Sequence, residues 1–244
     1  MRLRDALVLV LALAAFSGSA CSPRRTGWDD PAAQRQADAL LRHYGLAGDL
    51  TAQLAARVVQ PGVDPLSITI HVWAAADGRV RVAVRKIDVA VLTAVIAADG
   101  TVIAKAERTG GWYRGPAPDL LEELHRLVAE LRHGPLRHGV PVTADSAGGL
   151  IQQQDGQLAT LRLARGLVAT KIWADRTLTY GADKEFAGLF RSEQFSMQAK
   201  DGDELGARLV RFESVPAIDP SRLVLTPPPD AVWLDAAGFA DAMR

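Results

Sequence analysis

The chain has 244 residues and balances 28 basic against 28 acidic side chains, which excludes the basic footprint of a nucleic-acid-binding protein. Its length suffices for one good hydrophobic core. Its single cysteine excludes an internal disulfide, so packing alone must hold the fold.

At the start, Arg2 and Arg4 precede an unbroken apolar run from Ala6 to Phe16, and the small residues Ser17, Gly18, Ser19 and Ala20 follow. A charged start, a short apolar stretch and a small-residue exit make a secretory signal peptide. The run is too short to cross a bilayer, which takes roughly 20 apolar residues. Gly18-Ser19-Ala20-Cys21 resembles the lipobox of bacterial lipoproteins, with Gly18 where Leu is preferred. That resemblance implies that Cys21 is lipid-modified and becomes the first residue of the mature chain. A plain signal peptide cut within 17–19 is the alternative. Ser22 stands where Asp would imply retention in the inner membrane, so the expected location is the outer membrane, facing the periplasm. The expected organisation is a signal peptide over 1–20, a short polar tether over 21–30 and a single domain over 31–244.

Pro31 to Tyr44 predicts a helix, with Asp30 as N-cap and Gly45 as stop. Leu50 to Val59 predicts a second, closed by Pro61-Gly62. The pattern then changes period. Leu66 to Ala74, Arg79 to Arg85, Asp88 to Ala97 and Thr101 to Glu107 predict strands of an antiparallel meander, turned at Asp77-Gly78 and Asp99-Gly100. Asp88 to Ala97 is apolar on both faces and reads as a central strand. Pro118 to Arg132 is the clearest helix, with Leu120, Leu121, Leu124, Leu127, Val128 and Leu131 on one stripe. Glu122, Glu123, Arg126 and Glu130 fall on the other side and read, with Asp119, as a solvated face. Strand-like segments return at Leu150 and continue through Leu158–Leu163, Leu167–Asp175, Thr177–Tyr180, Phe186–Ala199, Gly206–Val215 and Arg222–Thr226, before Pro227-Pro228-Pro229 and a weak closing helix. Helix, strands, helix, strands predicts an α+β protein with one large antiparallel sheet covered by helices.

Three segments of the second half carry a family resemblance. Lys171-Ile172-Trp173-Ala174-Asp175 resembles a strand ending in W-x-D, Ala207 to Ile218 a late strand and turn, and Asp219 to Ala231 a closing strand with a Pro-Pro exit, where Leu223 replaces the usual Phe. Together they are similar to the LolA/LolB-like superfamily of lipoprotein carriers. The resemblance implies a large curved antiparallel sheet, an unclosed barrel, with helices as a lid over an apolar space that takes acyl chains. It implies no enzyme activity. No exposed apolar loop suited to membrane insertion is evident in the sequence.

Ile68, Ile70, Val72, Val80, Val82 and Val84 alternate toward one face and would line either a packed core or such a cavity, with Leu124 and Leu127 of the covering helix and Trp173 as further lining. The alternation by itself leaves core and cavity both open. His43, His71, His125, His133 and His138 show no metal-ligand spacing. The Gly110-Gly111 and Gly148-Gly149 pairs belong to no phosphate-binding pattern, and Ser192 and Ser196 lack a nucleophile elbow. No pattern calls for a cofactor. The expected partners are the membrane, through the lipid at Cys21, and an acyl-chain or other apolar ligand; the alternative is a structural lipoprotein that docks another envelope protein.

Overall fold

A computed structural model describes residues 30–62, 64–154 and 156–242. Cys21, the signal sequence and all of the tether before Asp30 lie outside the described residues. Helix α1 spans Pro31–Tyr44. Asp30 caps it, its carboxylate accepting from the Ala32 and Ala33 amides at 3.0 Å, and Gly45 ends it at φ 65°. Ala33, Ala37, Leu40 and Tyr44 form its buried stripe.

Thirteen strands follow in one antiparallel sheet, ordered β6-β5-β4-β3-β2-β1-β15-β14-β11-β10-β9-β8-β7. β1 (Asp49–Val59) to β6 (Gly111–Pro116) form a meander through β2 (Leu66–Ala74), β3 (Val80–Lys86), β4 (Val89–Ile96) and β5 (Thr101–Ala106). β7 (Val142–Ala144), β8 (Leu150–Gln154), β9 (Gln157–Ala164), β10 (Leu167–Ile172) and β11 (Arg176–Tyr180) form another. β14 (Gln194–Ala199) and β15 (Glu204–Val215) join the halves, since β15 pairs with β1. A separate hairpin, β12 (Asp183–Phe186) and β13 (Leu189–Ser192), projects between β11 and β14.

Helix α2 (Asp119–His133) connects β6 to β7, the two edges of the sheet. A connection between opposite edges has to cross a face, and α2 crosses the concave one. Its Leu121, Leu124, Leu127, Val128 and Leu131 join the inward residues of the strands in a single core. The sheet is not closed. The β6 edge is covered by the chain terminus, where the Trp112 amide donates to the Val232 carbonyl at 2.8 Å and the Leu234 amide to the Trp112 carbonyl at 2.7 Å. Beyond it lies α3 (Ala236–Ala242).

Three expectations are corrected. Leu50 to Val59 is strand β1, not a helix: Leu50, Ala52, Leu54 and Ala56 alternate inward. The Ala, Leu and Gln content favours a helix locally, but pairing along both edges, with β2 and β15, outweighs propensity. Arg222 to Thr226 is no strand. Pro220–Leu223 is a 3-10 turn that seats Leu223 with Ile218 against Ala75 and Trp73, on the outer side of the sheet. Phe186 to Ala199 is interrupted at Ala187-Gly188, both at positive φ, and divides between β12, β13 and β14. β6 was not expected at all.

Candidate functional site

Along α2 from Glu123 to Glu130, the inner face of the sheet leaves a thin cleft of about 30 Å³ that opens to solvent at its mouth. Leu127 supplies the helix wall, and Trp173, Leu178, Phe195, Met197 and Leu205 the sheet wall. Ala207 and Phe195 belong to an inward row that crosses five strands in register, Ile68–Ala56–Ala207–Phe195–Tyr180. Glu123, Leu127 and Glu130 follow at four- and three-residue intervals and therefore share one flank of the helix. Arg126 and Arg176 stand with Glu123 toward the mouth, and Glu130, Arg137 and Gln154 lie deeper.

The deep end holds a buried polar network. Glu130, only 3% exposed, accepts from Lys171 Nζ at 2.5 Å and Arg137 Nη2 at 3.1 Å on one oxygen, and from the Tyr180 hydroxyl at 2.6 Å on the other. Burial by itself would raise the Glu130 pKa, but Lys171 and Arg137 outweigh it and hold the carboxylate below its ordinary range. Burial and the same carboxylate push the Tyr180 phenol well up. Lys171 is fully buried, with its ammonium 4.8 Å from the centre of the Trp173 ring. Its inward aim comes from a break in register between Val168 and Thr170, which advances the alternation of β10 by one residue. Gln152 and Gln154 complete the network: Gln152 Nε2 donates to the Arg137 carbonyl at 2.8 Å, and Gln154 Nε2 to Gln152 Oε1 at 2.7 Å.

A second buried cation organises the lid. Arg191 of β13 is 1% exposed. Its Nε donates to the Leu131 carbonyl at 2.5 Å and its Nη2 to those of Arg132 at 2.7 Å and Gly45 at 3.2 Å; Nη1 reaches the Tyr44 carbonyl and, at 2.6 Å, that of Phe190. One guanidinium thus fills the open carbonyls at the ends of α1 and α2, where the helix dipoles favour a cation. Burial brings its pKa down to about 10, which leaves it charged at neutral pH.

The structure places Leu127 and Trp173 on the cleft wall and Ile68 at the far end of the row that includes Phe195. Ile70, Val72, Val80, Val82, Val84 and Leu124 are each 3% exposed or less and lie in the contiguous core. Glu130 corrects the expectation of a solvated helix face: it flanks the apolar stripe, and the sheet curves up to cover it. Lys171, Tyr180 and Arg191 carry no sequence mark of this role, because a lone polar residue in a strand does not show the face it will take, and Arg137 lies in the loop between α2 and β7, where no periodicity reports burial. In the turn between β3 and β4, Ile87 is 82% exposed at φ 56°, and Val89, the first residue of β4, is 62% exposed, near Arg85 and Lys86.

No family model matches the chain, and no curated protein matches it. Solved structures do. A LolA superfamily protein from Nitrosomonas europaea superposes with a TM-score of 0.52 at 9% identity, over 79% of this chain and 97% of that one. The fold is LolA-like. A DUF1329 family protein from Desulfovibrio piger superposes similarly, with a TM-score of 0.54 at 11% identity over 79% and 94% of the two chains. In this LolA-like fold the cleft lies between the concave face of the sheet and the helix that crosses it.

Proposed function

We propose that the protein is an envelope lipoprotein, anchored at the outer membrane by lipid on Cys21, that holds an acyl chain between α2 and the inner sheet face without catalysing a reaction. The observation that carries this reading is the cleft itself: an apolar wall of Leu127, Trp173, Leu178, Phe195, Met197 and Leu205 ending at a buried polar cluster. Sites for apolar ligands are built this way, with a few placed polar groups among apolar walls. Affinity would come from burying apolar area, at about 25 cal/mol per Å². The resemblance of residues 18–21 to a lipobox supports the anchor, and two acyl chains at one cysteine suffice for stable membrane attachment. Ile87 and Val89, with Arg85 and Lys86 beside them, offer an apolar and basic tip for contact with a lipid surface.

The test is native mass spectrometry of the full chain carrying Cys21→Ser, purified from a host envelope, followed by lipid extraction. A co-purifying acyl lipid that is lost in Met197→Trp, which fills the cleft, supports the reading. A protein that stays empty, and stays empty after incubation with acyl lipids, refutes it. Radiolabelled palmitate should label the wild type and not Cys21→Ser; equal labelling refutes the anchor.

A further inference from the structure

Two acceptor atoms on the cleft lining have no donor among the described residues: Gln154 Oε1 and Glu123 Oε2, both shielded from solvent. The orientation of Gln154 is set by its partners. Its Nε2 donates to Gln152 Oε1 at 2.7 Å and to the Pro135 carbonyl at 3.3 Å, so its oxygen points away from both. The cations nearby are engaged. Arg137 donates to Glu130 and the Gly134 carbonyl, Arg176 to Asp175 with Glu123 beside it, and Arg126 to Glu122. The vacancies are therefore both for donors. Gln154 marks the deep end. Glu123, seven residues before Glu130 and thus about 10 Å along the helix, marks the mouth.

A buried acceptor left without a donor costs the desolvation of that group, and a ligand that brings a hydroxyl or N–H recovers it. A carboxylate or phosphate brings only acceptors, so it would leave Gln154 Oε1 without a donor whatever it draws from Arg126, Arg137 and Arg176 on the same lining. An ester brings no donor either. We propose that the cleft selects an acyl chain bearing an uncharged hydroxyl or amide N–H, which donates to Gln154 Oε1. This deepens the acyl-binding reading and rests on it.

Three ligands with one chain length separate the possibilities: 1-monopalmitoylglycerol, palmitate and methyl palmitate, each displacing a fluorescent acyl probe from the delipidated full chain carrying Cys21→Ser. Monopalmitoylglycerol should bind at least tenfold more tightly than either of the others, about 1.4 kcal/mol. Gln154→Met should bring that ratio close to one. Equal affinities in the wild-type cleft, or tighter binding of palmitate, overturn the donor rule and leave acyl binding standing. No binding of any of the three overturns both. If Gln154→Met does not fold, as its melting curve will show, the three-ligand comparison with Gln154 in place decides alone.

Discussion

Replacing Glu130 by Gln should destabilise the protein far more than replacing Lys171 by Met, although the two residues form one ion pair. The reason is the charge count around Glu130. It faces two cations, Lys171 and Arg137, and also binds the Tyr180 hydroxyl. Lys171→Met leaves Glu130 with Arg137 and Tyr180, a neutral and hydrogen-bonded set. Glu130→Gln leaves the fully buried Lys171 and the nearby Arg137 facing each other with no carboxylate between them. Breaking a buried pair so that charge is left behind costs about 3–5 kcal/mol. Losing one charged hydrogen bond while keeping the others costs about 1.5–3 kcal/mol, partly offset here by the apolar Met. The double variant Glu130→Leu/Lys171→Met should lie nearer the wild type than Glu130→Gln, because it removes the fully buried ammonium along with the carboxylate and leaves only the more exposed Arg137 charged. Urea unfolding followed by tryptophan fluorescence gives the four stabilities. If Lys171→Met is the more damaging single change, or if both cost under about 1 kcal/mol, the network is not the buried, asymmetric cluster described here. The linkage has a definite sign. The folded pKa of Glu130 lies below its unfolded value, so its contribution is present above the ordinary Glu pKa and fades as the pH falls through the lower folded value; Glu130→Gln should flatten that part of the stability–pH curve.

Arg191→Met should cost about 3 kcal/mol or more, since it exposes the carbonyl ends of two helices without a donor, and Arg191→Lys should not rescue it, because one ammonium cannot match the spread of a guanidinium; equal stability of Lys and Arg proteins by thermal melting would refute the clamp. His133 titrates down to about 4, from burial and the repulsion of Arg137 and Arg132, so the neutral ring is the folded form. Its share of stability is complete above about pH 6.5 and is lost as the pH falls toward 4. A proton NMR titration should find it neutral at pH 5.5, and a His133 midpoint near 6.5 would count against this burial. Ile87→Gly should raise stability by about 1 kcal/mol by relieving a β-branched residue at positive φ, while weakening sedimentation with anionic vesicles; unchanged vesicle binding would remove the β3–β4 turn from any membrane role.

Much of the architecture was legible because repeating patterns report it. The period-2 runs of β2 and β3, the Asp-Gly turns and the long apolar stripe of α2 each recur often enough to outvote local noise. Strand β1 was misread because Ala, Leu and Gln suit a helix, and only its two partner strands decide otherwise. The cleft was legible in part. Leu127 and Trp173 line it, while most of the other residues expected there pack against one another in the core.

The sequence by itself determined the element types through most of the chain, the α+β class and the capped start of α1, because these depend on contacts between near neighbours. It also set the pattern at residues 18–21 on which the membrane anchor is proposed. Tertiary structure alone decided which polar residues are inside. Glu130 looks solvated along its helix, and Lys171 looks like an ordinary strand residue until a register break turns it inward. Arg191 is unremarkable in sequence until it meets two helix ends that lie 147 and 60 positions away. Burial of a charge is set by what closes over it, and that cover comes from parts of the chain no local window contains.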